Sequence, residues 1–141
     1  MKYLSAFVLL FLFLTNCSSQ PKISEHFNRE WMLVEFKGFT KDLMIKNKAK
    51  LDLSQTNDSN KKFTANMGCN NLFGQVDFKG NGKITFSKMG STEMFCDQNM
   101  ELETAFMQIL PTITSYQITG HHLTLTNEKG EIMKFIAADW D

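Results

Sequence analysis

From Trp31 onward the apolar residues recur with a period of two, then once with a helical period, then with a period of two again. "WMLVEF", Trp31 to Phe36, reads as a first strand. The stretch that follows, "KGFTKDLMIKNK", holds no sustained period and reads as a loop with room for one short turn. "AKLDLS" then alternates Ala49, Leu51 and Leu53 against Lys50 and Asp52, the pattern of a strand with one buried face. After the turn cluster "TNDSNK", "KFTANM" alternates Phe63, Ala65 and Met67 with polar residues, so the two segments form a hairpin. "FGQVDF", the glycine-rich turn "KGNGK" and "ITF" predict a second hairpin. The period then lengthens: in "DQNMELETAFMQIL" Leu102, Phe106 and Ile109 fall at i, i+4 and i+7, one face of a helix. Asp97 suits its N-cap, Glu101 and Glu103 suit the positive end of its dipole, and Pro111 ends it. "SYQIT", a turn at Gly120, "HLTLT", a turn at "NEKG" and "EIMKFI" return to strands. The expected fold is therefore α+β: a single small domain with a strongly curved or barrel-like, mostly antiparallel sheet of seven to eight strands and one helix. A sheet of that strand number must curl or close to hide its edges.

Charge and composition narrow the function classes. Lys and Arg number 15 against 15 Asp and Glu, so the formal net charge is +0 and no electrostatic footprint favours nucleic acid. No nucleic-acid partner is expected. The 43% hydrophobic and 21% charged residues are those of a globular domain, and thirteen Phe and nine Met suit a filled core.

The first 20 residues change the picture most. "MKYLSAFVLLFLFLTNCSSQ" opens with Lys2, runs apolar from Leu4 to Leu14 and ends in small polar residues, the layout of a secretory signal and too short a run to span a bilayer. "LTNC", Leu14 to Cys17, resembles the lipobox of bacterial lipoproteins, which implies cleavage before Cys17 and acylation of that cysteine; Asn16 departs from the small residue usual there. Residues 1–16 then form the signal, 17–29 a polar lipidated tether, and 30–141 the domain. Assigning Cys17 to lipid leaves Cys69 and Cys96 as a pair in an oxidising compartment. They form either a disulfide, the favoured reading, or two buried thiols that act as small apolar residues.

The remaining residues offer little catalytic chemistry. A nucleophilic Cys69 needs a histidine base, and nothing ties His26, His121 or His122 to it. No CxxC or HxxxH pair suggests a metal, and none is expected. Glu101 and Glu103 lie two apart on a helix and share no face, and "GNG" lies in a hairpin, not between a strand and a helix. Gly68 and the asparagines after Cys69 fit a sharp corner at the end of a strand.

"GCNNLFGQVDF", "STEMFC", "MELETAFMQIL" and "YQITGHHLTLTNEKGEIMKF" resemble, in that order, the motifs of the META or HslJ-like domain of bacterial envelope proteins. The resemblance covers Glu30 to Ile136. It includes Trp31, Gly68-Cys69-Asn70, Thr92 four positions before Cys96, and Glu103 with Phe106 and Leu110. It implies a small, largely β domain with one helix, exported and often lipid-anchored, linked to heat or antibiotic stress and to no agreed enzymatic activity. No catalytic residue and no cofactor carries over; Gly68, Cys69, Asn70, Thr92, Cys96 and Glu103 match positions of structural role.

The expected function is that of a non-enzymatic envelope lipoprotein contributing to stress or antibiotic tolerance through contacts in the envelope. Its partners are the membrane, through the anchor, and an envelope protein. Ser18 after Cys17 suits an outer-membrane address facing the periplasm. The second expectation, from a different class, is a carrier holding a small apolar ligand or lipid inside a barrel-like sheet.

Overall fold

Eight strands pair in chain order and the last returns to the first, closing an antiparallel barrel. The structure, a computed structural model, describes residues 27–57, 59–96 and 100–140. The lipidation site expected at Cys17 and the helix cap expected at Asp97 lie outside the described residues. The strands are β1 (Glu30–Phe36), β2 (Lys50–Asp52), β3 (Lys62–Asn66), β4 (Asn71–Gly80), β5 (Lys83–Ser91), β6 (Ile113–Thr119), β7 (His122–Asn127) and β8 (Ile132–Ala137). Closure gives every strand a neighbour on both sides, which is the solution expected for a sheet of this size. The main helix, α2 (Met100–Ile109), lies between β5 and β6 in the chain and runs into a 3-10 turn over Leu110–Thr112.

Alternation decides what faces inward. Trp31 and Leu33 of β1, Phe63 and Ala65 of β3, Leu123 and Leu125 of β7, and Met133, Phe135 and Ala137 of β8 are buried. The period breaks once in β1, where the register with β8 shifts between Leu33 and Glu35. The bulge carries the exposed Glu35 past the core and returns Phe36 to it, as one extra residue in a strand must. Gly74 faces the same interior from β4, and a Cβ there would stand 2.7 Å from the ring of Phe63. The small residue makes room for the large one across the strand pair, since the two are in register.

Each end of the barrel is closed by aromatic residues. At the end where the described chain enters, Phe27 packs edge-on against Phe78 and Tyr116, with ring centroids 4.3 and 5.2 Å apart. Trp31 Nε1–H donates to the Phe27 carbonyl at 3.0 Å, so the packed structure takes in residues 27 to 29, which the sequence reading placed in the tether. At the other end Phe106 of α2 stands edge-on to Phe36, centroids 6.5 Å apart.

Two local features were not read from the sequence. The stretch read as a loop contains α1 (Lys41–Lys46), whose N-cap Thr40 accepts from Leu43 N–H at 3.3 Å. It buries only Met44, so it is too short to display a helical period. Also, β5 and β6 share a single register pair, Lys83 with Ser115, beside a Tyr116 N–H bond to the Gly82 carbonyl. The chain leaves the sheet through α2 at this seam.

Replacing Phe106, which is wholly buried, by Ala should lower unfolding free energy by about 3–5 kcal/mol in a denaturant titration. A loss under about 1 kcal/mol would show that α2 is not part of the core.

Candidate functional site

The corner between β3 and β4 begins with a backbone constraint. Gly68 has φ +110°, and a Cβ on it would lie 2.7 Å from Cβ of Asn47, the C-cap residue of α1. Only glycine suits that position. Asn47 Nδ2–H donates to the Met67 carbonyl at 3.2 Å, and the Gly68 N–H donates to Asn66 Oδ1 at 2.7 Å. The corner is therefore held from both sides before Cys69 and Asn70 are placed.

Asn70 is buried, and its role is hydrogen bonding rather than the positive φ that the sequence suggested for the asparagines. Its backbone N–H donates to Glu103 Oε2 and its side-chain Nδ2–H to Glu103 Oε1, both at 2.7 Å. The second Nδ2 hydrogen goes to the Met94 carbonyl at 3.1 Å. Its Oδ1 accepts from Thr92 Oγ1–H at 2.8 Å and from Met94 N–H at 2.7 Å. Every donor and both lone pairs of the amide are used. Thr92 Oγ1 in turn accepts from Asn71 N–H at 3.1 Å.

Cys69 and Cys96 are joined by a disulfide across a sequence separation of 27. In the chain-entropy model a loop of that length contributes about 3–4 kcal/mol by restricting the unfolded chain. The open alternative of two buried thiols is settled in favour of the bond. Thus the expected motif residues, Gly68, Cys69, Asn70, Thr92, Cys96 and Glu103, converge at the α2 end of the barrel. They fasten the β3–β4 corner, the segment after β5 and α2 to one another.

A cleft of about 400 Å³ opens beside this network, lined by Asn70, Thr92, Met94, Met100, Glu103 and Met107 among others. Met94 is 52% exposed and Phe95 is 85% exposed, both on the short segment that ends at Cys96. Sequence reasoning missed these two, although an apolar pair in "STEMFC" lies outside any alternating run. It also missed Asn47, for which a stretch without a period offered no signal. The histidines stand elsewhere: His121 stacks on Trp140 at the opposite end, and His122 opens β7. His26 lies outside the described residues.

The family profile of the META domain matches residues 24–140. The chain belongs to the META domain family. Among solved structures, this META domain is similar to an NMR structure of a protein from Burkholderia xenovorans. The two are 21% identical, with a TM-score of 0.61, over 80% of this chain and 83% of that one. A second NMR structure is 22% identical with a TM-score of 0.59, covering 80% of this chain and 92% of that one. The crystal structure of a DUF4847 family protein from Bacteroides vulgatus is 16% identical with a TM-score of 0.60, over 83% and 97% of the two chains. At these identities the likeness speaks for the barrel alone. No curated protein matches the chain.

The network makes a paired test possible. Glu103→Gln turns an amide donor toward the Asn70 donors, and should cost about 1–3 kcal/mol of stability. Asn70→Asp faces one carboxylate with another and should cost more. Combined, Asp at 70 and Gln at 103 restore one donor facing one acceptor, so the double variant should be more stable than Asn70→Asp alone in urea unfolding. A double variant less stable than that single one would refute the assigned bonds.

Proposed function

We propose that this META domain protein is a non-enzymatic envelope lipoprotein that supports stress or antibiotic tolerance by presenting the α2 end of its barrel to a partner protein in the envelope. The observation that carries this reading is the Met94–Phe95 pair, held out in solvent on a segment fastened by a disulfide and by a saturated Asn70. Aromatic and methionine side chains are the ones that anchor protein interfaces when they are covered. A segment already fixed loses little freedom on binding, which favours association. The polar groups at the motif are committed to one another, so they support a frame rather than a reaction. The lipid anchor rests on the Leu4–Leu14 run and Cys17, and the address facing the periplasm on Ser18.

The carrier reading finds no support at the positions that would line a ligand chamber. Trp31, Phe63, Leu72, Val76, Phe86, Leu125 and Phe135 are buried in the interior, and a barrel of eight strands is only just wide enough for side chains or one small ligand.

Deleting the gene should lower survival under heat, detergent and hydrophobic antibiotics, and the wild-type gene should restore it. A gene carrying Met94→Ser and Phe95→Ser should fail to restore it while the purified variant keeps its stability within about 0.5 kcal/mol per change. Full rescue by that variant would remove the proposed surface, and unchanged tolerance in the deletion strain would remove the role.

A further inference from the structure

We infer that the opposite end of the barrel, around Trp140, rests on the headgroup region of the bilayer that holds the protein's own anchor. The inference builds on the lipid-anchor reading and adds which face meets the membrane. Its first support is chain length. Phe27 sits at this end, ten residues after Cys17, and ten residues reach at most about 35 Å. An acyl chain on Cys17 therefore keeps the Phe27 end near the lipid surface. The motif end stands away from Phe27 by the length of a strand, about 20 Å for the seven residues of β1.

The second support is what this end displays. Ala138 N–H donates to the Glu30 carbonyl, which brings the residues after β8 beside the start of β1. There Trp140 is 51% exposed and lies flat on His121, with centroids 3.4 Å apart and planes at 15°. Arg29, Ile118, Gly120 and His121 line a hollow of about 320 Å³ next to it. The Arg29 guanidinium reaches Asp139 at 3.4 Å. Lys79 and Lys83, flanking the β4–β5 turn at the same end, are exposed. A half-exposed indole beside a hollow lined by Arg29 matches the boundary between phosphate and acyl chain, where tryptophan concentrates. The chain as a whole has no net charge to draw it to lipid, so proximity must come from the anchor.

The two tryptophans make the test direct, because Trp31 is wholly buried and Trp140 is not. The full chain, matured with its own signal and checked for acylation by mass, is placed in vesicles of phosphatidylcholine and phosphatidylglycerol with brominated acyl chains. Tryptophan emission is then compared with that in unbrominated vesicles. Wild type should co-sediment and lose part of its emission to bromine, and Trp140→Phe should co-sediment and lose none. In a third protein, Trp140→Phe combined with Phe95→Trp, the new indole at the motif end should escape quenching. Co-sedimentation without quenching of wild type overturns the inference and leaves the anchor standing, as does quenching of the Phe95→Trp indole. A chain that carries no acyl group and stays in the supernatant overturns the anchor reading and this inference with it.

Discussion

Glu103 reaches from the first turn of α2 to both the backbone N–H and the side-chain amide of Asn70, and how the barrel closes at that end depends on those two bonds. Between β5 and β6 the sheet is joined by one register pair, so its upper part is covered by the 3-10 turn, against which α2 packs, and not by strand pairing. A ten-residue helix is marginal by itself and needs a fixed partner. Its apolar partners are Phe36 and the core, and its polar partner is Asn70. Phe106 fixes which face of the helix is buried; Glu103, three residues earlier and on nearly the same face, fixes where along the barrel rim that face sits.

Disulfide and hydrogen bonds act on different states. The Cys69–Cys96 link restricts the unfolded chain, whereas the Asn70 network defines one arrangement within the folded one. Neither does the other's work: a disulfide alone would tolerate several positions of the Met94–Phe95 segment, and the bonds from Asn70 to both the N–H and the carbonyl of Met94 select one. Because the two share residues 69 and 70 and the 92–96 segment, their contributions will not add simply. Glu103, which is buried and has no ion pair among the described residues, is accommodated because a donor meets each of its side-chain oxygens.

What was legible in the sequence followed from period. Strands with one buried face announce themselves by alternation, so β3, β7 and β8 were plain, and Leu102, Phe106 and Ile109 marked α2 at once. The bulge at Val34–Glu35 was hidden because "WMLVEF" is apolar at positions on both sides of the strand, and α1 was hidden because one buried residue makes no period. The motif residues were legible as a set, yet the part played by Asn70 was not. Propensity reasoning assigns asparagine to a turn, and only the folded chain brings Glu103 to it across 33 positions. The weak β5–β6 seam was equally out of reach, since strand pairing across a helical insertion leaves no local trace.

An even number of strands in an up-and-down barrel carries a consequence for orientation. The chain enters β1 and leaves β8 at the same end, so whatever precedes β1 and whatever follows β8 must share that end. The connections after β1, β3, β5 and β7 all fall at the other end, and these include α1, the Gly68–Asn70 corner and the long passage through α2. Only the connections after β2, β4 and β6 join the termini. The family motif is thus separated from the N-terminus by the full height of the barrel as a matter of topology. A tether attached before Phe27 therefore joins the barrel at the end opposite the motif. A core of buried side chains such as Trp31, Phe63 and Phe135 serves that geometry well, because close packing resists deformation and keeps the two ends at a fixed distance.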